Sequence, residues 1–215
     1  MANSRQSISN TELVLNASDG TSRTSFRPTF KPIAWCSHVY RLGRDLALNL
    51  GPCGAKLRTQ MDVSGLRQTA EFHGEDGDDD RLCHELFDQA KAYVTSFRWC
   101  RSVKDSYVGD CVGGIFALVL FRIEPATADV DEWIWVVVGD LPPAYIAPAS
   151  SNPHEALEDY IWQMSKWVRA VRAGRPVLGL IPVNTDPTRK SADELESRLR
   201  FLKKEILPHL GHRAT

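Results

Sequence analysis

The chain of 215 residues is 43% hydrophobic and 25% charged, which is typical of a globular protein that can bury a core. Its 26 Lys and Arg residues almost balance 27 Asp and Glu residues, so the formal net charge is −1. Nucleic-acid-binding proteins usually carry a clearly basic face. The longest apolar run, residues 112–121, is far shorter than the roughly 20 helical residues that cross a bilayer. The composition therefore predicts no nucleic-acid partner and no membrane partner.

The cysteine content is low for a secreted disulfide-rich protein, and no two cysteines have a CxxC spacing. Residues 1–10 are polar and lack the apolar stretch of a secretory signal. These observations predict reduced thiols and a cytoplasmic protein. The cysteines are Cys36, Cys53, Cys83, Cys100 and Cys111.

The first third of the chain shows no sustained hydrophobic period. Its apolar fragments between residues 31 and 72 are interrupted by glycine and proline, and residues 74–80 form an acidic run that contains glycine. Such a run is typical of a solvated linker. We therefore predict a weakly structured N-terminal extension over residues 1–79 and an α+β globular domain over residues 80–215.

An amphipathic helix is predicted directly after the acidic run. Apolar residues recur near four-residue spacing from Leu82 to Phe97, as they do on one face of a helix. The preceding aspartates stand where the helix dipole favours negative charge and where an Asp side chain caps free N–H groups. We expect this helix to open the globular domain.

Two strands are predicted after this helix, with a candidate third strand before them at residues 103–108. Residues 115–123 are almost continuously apolar, and residues 132–139 are rich in β-branched and aromatic side chains, as buried strands are. The connection between them is short enough for an antiparallel hairpin. The sheet is expected to end at Pro142 and Pro143, because proline cannot donate ladder hydrogen bonds.

Two further helices complete the predicted fold. An Asn-Pro pair at residues 152–153 gives an N-cap followed by Pro at the first helical position, and Gly174 suits the end of this helix. Ser191 and Glu194 have the spacing of a capping box, and Pro208 is expected to end the last helix. The order α-(β)-β-β-α-α indicates a small antiparallel sheet of two or three strands packed with three helices.

The glycine-rich stretch of residues 107–114 contains Asp110 and Cys111 just before an apolar strand. An Asp-Cys pair in this context resembles the NlpC/P60 cysteine peptidases, and the resemblance implies Cys111 as a nucleophile with a histidine as its general base. Val112 stands where the family has serine, and the next histidine along the chain is His154. The alternative is a buried, inert cysteine in a glycine-rich turn.

Neither a cofactor nor a metal ion is predicted. The glycines precede a strand rather than a helix, which is the wrong context for a dinucleotide-binding loop, and no GxxxxGK[ST] motif occurs. Apart from His209 and His212 near the C-terminus, the cysteines and histidines lack the paired spacing of structural zinc ligands. The acidic run lacks the residue order of a calcium-binding loop.

Asp140 is a candidate general acid or base, because it follows the second apolar strand directly and has Trp and Tyr residues nearby in the sequence. A carboxyl group half-buried beside aromatic rings has a raised pKa, which suits acid–base catalysis. The alternative is that the Asp140 carboxylate shapes the turn by accepting backbone hydrogen bonds.

Aromatic residues are dense after residue 80, and Trp133, Trp135 and Tyr145 are candidate binding residues because Trp and Tyr are common interface anchors. Packing in the core is the alternative for them. In the last helix, four apolar residues step by 4, 3 and 4 as in a coiled-coil seam, and Phe201 lies off that seam. We expect this C-terminal helix to bind a protein partner or a second copy of the chain, with Phe201 as an anchor. The alternative is that the seam packs on the sheet and contacts nothing else.

These features favour a small bacterial interaction protein of the immunity or adaptor type, which acts by protein binding rather than by catalysis. The alternative is a small cysteine-dependent hydrolase with Cys111 as its nucleophile. Asp140 and His154 are the other catalytic candidates for that alternative. Protein binding is the preferred interpretation, because the sequence offers no convincing metal site, phosphate loop or paired nucleophile and base.

Overall fold

The fold is an antiparallel sheet with helices packed on both of its faces. The computed structural model describes residues 61–128, 130–146 and 152–210. Its strands are β1 (Arg67–Gln68), β2 (Cys100–Val112), β3 (Phe116–Pro125), β4 (Trp133–Gly139) and β5 (Ala144–Ile146). Its helices are α1 (Gly77–Thr95), α2 (Pro153–Arg172), α3 (Arg189–Phe201) and α4 (Leu207–Leu210), with a 3-10 turn at Thr69–Glu71 and a π-helical segment at Leu202–Ile206.

The strands lie in chain order across the sheet, and each pairs antiparallel with the next. The predicted α+β class with an antiparallel sheet is confirmed. The predicted number of strands is wrong, because the described part of the chain contains five rather than two or three. The unpredicted strands are the edges β1 and β5, of 2 and 3 residues, which are too short to show a two-residue hydrophobic period.

The sheet continues beyond Pro142 and Pro143, where the sequence predicted its end. The prolines occupy the connection between β4 and β5, so neither has to donate a ladder hydrogen bond. The antiparallel register then places Tyr145 of β5 opposite Val136 of β4.

Alternate side chains of β3 point to opposite faces of the sheet and contribute to two separate cores. Phe116, Leu118 and Leu120 pack in the core formed with α2 and α3. Val119 and Phe121 pack in the core formed with α1. Because both faces are covered and these five side chains are at most 1% exposed, the strand is a continuous apolar run rather than an alternating one.

The first helix begins inside the acidic run that the sequence predicted as a linker. Asp76 is its N-cap, since the Asp76 carboxylate accepts hydrogen bonds from the backbone N–H groups of Asp78 and Asp79. The predicted domain boundary therefore falls in the first turn of α1. On its N-terminal side, Met61 is 7% exposed in the core, and β1 pairs with β2. Residues 1–60 lie outside the described residues, so the division of the chain into two units stays a prediction.

The local capping signals place the start of α2 correctly and misplace the start of α3. Asn152 caps α2, since its side-chain oxygen accepts the backbone N–H of Glu155. In α3 the capping box is formed by Thr188 and Ser191, so the helix begins at Arg189. Ser191, which the sequence predicted as the N-cap, is the other member of the box.

The C-terminal helix continues through Pro208, where the sequence predicted its end. In the π-helical segment that precedes it, the N–H of Leu207 bonds the carbonyl of Leu202. Pro208 has no N–H to donate, and the wider turn before it lets the chain continue to Leu210, which is 6% exposed in the core.

The segment before α1 is expected to stabilise the sheet. A fragment of residues 77–215 lacks Met61, β1 and the Asp76 cap, all of which a fragment of residues 61–215 keeps. Loss of one buried Met side chain and one N-cap costs about 3 kcal/mol. We therefore expect a lower urea midpoint for the shorter fragment when unfolding is followed by circular dichroism. Equal midpoints would show that the fold begins at α1.

Candidate functional site

A pocket opens where β4 ends, against α3. Leu141, Pro142 and Leu195 contribute apolar walls, and Asp140 and Arg198 contribute charged groups. The volume of the pocket is about 90 Å³. Small-molecule sites usually measure about 300–1,000 Å³. The pocket therefore has room for a single side chain rather than for a metabolite.

A bidentate salt bridge joins the two sides of this pocket. Arg198 Nε donates to Asp140 Oδ2 at 3.0 Å, and Arg198 Nη2 donates to Asp140 Oδ1 at 3.2 Å. The two side chains are 37% and 49% exposed, so the pair adds little to stability, but its planar geometry orients both groups. The Asp140 carboxylate thus accepts hydrogen bonds from a guanidinium group, whereas the sequence predicted either a catalytic carboxyl or a turn held by backbone bonds.

Two contacts hold the backbone that forms one wall of the pocket. The N–H of Asp140 donates to the carbonyl of Ile115 at 2.8 Å, and the hydroxyl of Tyr160 donates to the carbonyl of Pro142 at 2.9 Å. Burial raises the pKa of Tyr160 well above its ordinary value, so this hydroxyl keeps the proton that it donates. Gly139, just before Asp140, has a φ of 121°, a conformation that favours glycine.

Exposed apolar side chains adjoin both partners of the salt bridge. Phe201 is 38% exposed and stands three residues after Arg198, on the same side of α3. Ile115 is 42% exposed, and its carbonyl is the one that accepts the Asp140 N–H. Asp140 and Phe201 were both predicted as site residues. Arg198 was missed because its partner lies 58 residues away in the sequence and no local pattern marks it.

The apolar seam predicted on the C-terminal helix is part of the core. Its side chains are each at most 8% exposed and pack with β3, β4 and α2. A seam that is already covered has no surface for a second copy of the chain, so Phe201 is the part of this predicted surface that remains exposed. The seam residues are Leu195, Leu199, Leu202 and Ile206.

The candidate binding residues of the sheet lie in three different places. Trp135 is fully buried in the core with α2 and α3, so it offers no surface to a partner. Trp133 is partly buried, with the Arg122 guanidinium carbon 5.7 Å from the centre of its ring. Tyr145 packs in the α1 core, where its ring meets that of Phe97 edge-on at 5.4 Å. Core packing, the alternative that the sequence left open, therefore accounts for Trp135.

Cys111 contacts a second cysteine, since its Sγ lies 2.6 Å from the Sγ of Cys83 in α1. Burial, the contact with Cys83 and the charges of Asp79 and Asp110 raise the pKa of Cys111, whereas the catalytic cysteine of a hydrolase is activated by a lowered pKa. His154 stands in the first turn of α2, and α2 packs on the opposite face of the sheet from Cys111. The hydrolase alternative therefore gains no support from this geometry.

Within the described ranges, no group of three or more His, Cys, Asp or Glu side chains is arranged to hold a metal ion. None of the helices in the described part of the chain is both long enough and apolar enough to cross a bilayer. Comparisons of the chain with protein-family models, with curated proteins and with solved structures give no match.

Proposed function

We propose that this protein acts by binding another protein through the pocket at the end of β4 and the exposed Phe201 of α3, without catalysis. The size of the pocket carries the proposal. A volume of about 90 Å³ accommodates one apolar side chain of a partner and is well below the about 300–1,000 Å³ of small-molecule sites. The anchors of protein interfaces commonly fill pockets of this kind. An immunity or adaptor role, in which binding is itself the activity, fits this arrangement.

The salt bridge beside the pocket supplies polar contacts to the same partner. Two N–H groups of Arg198 bond the Asp140 carboxylate, and a guanidinium carries further N–H donors in the same plane. We assign these donors to backbone carbonyl groups on either side of the partner's inserted side chain. Because Asp140 already holds the guanidinium in one orientation, binding of the partner costs little conformational entropy at this side chain.

Phe201 adds an apolar anchor beside Arg198, three residues later on the same side of α3. Phe201 is 38% exposed, although Leu199 of α3 and Leu202 just after α3 are buried, with 3% and 1% exposure. Burial of such a ring against a partner is among the largest single contributions to interface affinity. Phe201 and the pocket together therefore form a two-point contact surface.

Substitution of Phe201 or Arg198 by alanine is expected to lower the affinity for the partner about 30-fold, which corresponds to about 2 kcal/mol of binding free energy. The test begins with immobilised wild-type protein in an extract of the native host, and mass spectrometry identifies the retained proteins. Each retained protein is then purified, and its affinity for wild type, Phe201→Ala and Arg198→Ala is measured by calorimetry. Sedimentation of the wild type at increasing concentration tests a second copy of the chain as the partner.

Trp162→Ala is the matched control, because Trp162 is 50% exposed on α2 and its ring stacks with the Lys166 amino group, 3.2 Å from the ring centre. This variant should bind the partner as wild type does. All three variants should unfold within about 1 kcal/mol of wild type, as surface substitutions usually do. Partners that bind all variants equally, or the absence of any purified partner and of self-association, would refute the proposed function.

A further inference from the structure

Two cysteines from different elements meet at the end of the sheet. Cys83 of α1 and Cys111 of β2 are separated by 28 residues in the sequence, and their Sγ atoms lie 2.6 Å apart. This separation is intermediate between the about 2.05 Å of a covalent S–S bond and an ordinary non-bonded sulfur contact. A displacement of well under 1 Å would therefore bring the two sulfurs to bonding distance.

We infer that Cys83 and Cys111 are a site of covalent modification, at which a low-molecular-weight disulfide oxidises the pair to an intramolecular disulfide that ties α1 to β2. This site is independent of the proposed protein-binding function. It lies in the α1 core, whereas the pocket and Phe201 belong with α3 on the other side of the sheet.

The exposure of the two thiols sets the order of the reaction. Cys83 is 0% exposed, whereas Cys111 is partly exposed. The thiolate of Cys111 attacks one sulfur of the oxidant, the S–S bond of the oxidant breaks, and one thiolate leaves. The thiolate of Cys83 then attacks the sulfur of Cys111, and the second thiol of the oxidant leaves. The protein loses two electrons and two protons in all, and the oxidant gains them as two thiols.

The two elements that carry the cysteines are in direct contact beside the pair. Asp79 in the first turn of α1 accepts the N–H of Gly113, in the turn after β2, at 3.0 Å through Oδ1. The same oxygen lies 4.0 Å from the Sγ of Cys83. A Cβ on Gly113 would collide with Asp79, so this turn and the start of α1 are in close contact. The turn after β2 and the start of α1 are therefore held together at the point where the disulfide would form.

The surroundings of the sulfurs favour a lasting bond over a catalytic exchange. Burial raises the pKa of both thiols. The charges of Asp79 and Asp110 add to this effect at both, and the charge of Asp80 adds to it at Cys83. Exchange catalysts work because their surroundings stabilise a thiolate in the reduced form. Here the reduced form has no such stabilisation, so the oxidised form resists reduction. Formation is expected to speed up above neutral pH, where more thiolate is present.

The test uses the full-length protein incubated with oxidised glutathione and then digested without reductant. Mass spectrometry should show the peptides of Cys83 and Cys111 joined, with two hydrogens lost. The oxidised protein should melt about 5 °C or more above the reduced protein, because the crosslink restricts the unfolded chain. Cys83→Ser and Cys111→Ser should each abolish both the joined peptide and the rise in melting temperature.

Cys100→Ser is the control, since Cys100 is also buried but its Sγ lies 3.7 Å from the carbonyl of Ser102, to which it donates. This variant should still form the Cys83–Cys111 link. Recovery of glutathione on Cys111 without the link, or pairing of Cys111 with Cys36 or Cys53 in the folded protein, would overturn the inference. If a serine variant does not fold, the peptide map of the oxidised wild type is sufficient, because it shows directly whether the Cys83 and Cys111 peptides are joined.

Discussion

Replacement of Gly139 by alanine is expected to lower the free energy of unfolding by at least about 3 kcal/mol. Gly139 has a φ of 121°, and an added Cβ would lie 2.6 Å from the Phe116 Cα and would collide with the Ile115 carbonyl. Those atoms belong to the backbone at the start of β3, where Phe116 pairs with Gly139. They cannot move aside without breaking the ladder that carries both cores. Urea unfolding of the full-length variant, followed by circular dichroism, measures the loss.

Two other glycines separate the causes of this effect. Gly174 has a φ of 61° but nothing within 4 Å of an added Cβ, so Gly174→Ala should cost only about 1 kcal/mol, for its conformation alone. Gly65 has an open environment and no unusual φ, so Gly65→Ala should change stability by less than about 0.5 kcal/mol. Equal urea midpoints for Gly139→Ala and Gly174→Ala would show that the close contact of Gly139 with Ile115 and Phe116 does not contribute to the loss of stability.

The elements that the sequence predicted well are those whose signals are local. The apolar period after Leu82, the two long apolar strands and the Asn152 cap each occupy one continuous stretch, and each corresponds to an element of the structure. The edge strands β1 and β5 were missed because strands of 2 and 3 residues depend on their partners rather than on their own pattern. The start of α3 was misplaced because Ser191 and Thr188 are both residues that cap helices.

The candidate site was only half predictable, for the same reason. Asp140 is visible in the sequence because it directly follows an apolar strand. Phe201 is visible because it is an apolar residue that lies off the seam of the last helix. Their connection through Arg198 is a contact across 58 residues, which no sequence period shows. The meeting of Cys83 with Cys111 is likewise a product of the packing of α1 on β2. The side chains that meet at these two places lie far apart in the sequence, so their contacts appear only in three dimensions.

Replacement of Trp135 by alanine is expected to cost about 3–5 kcal/mol, as for other large aromatic side chains deleted from a core. Trp135 is 0% exposed and stands on the central part of the sheet, opposite Leu120 of β3 and Ile146 of β5. Its ring also lies against Gly109 of β2, where an added Cβ would be 2.8 Å from the Cζ3 atom. The indole therefore fills space that three neighbouring strands leave for it, and a methyl group cannot replace it.

Trp133 provides the comparison, because it lies two residues earlier on the same face of β4 and is only partly buried. Trp133→Ala should cost less than half as much, since part of its ring remains in water in the folded state. Urea midpoints of both variants, measured by circular dichroism so that the loss of indole fluorescence does not interfere, give the comparison. Equal costs would contradict the assignment of Trp135 to the core. A large loss for Trp135→Ala alone would leave Trp133 as the tryptophan of this pair that is able to contact a partner.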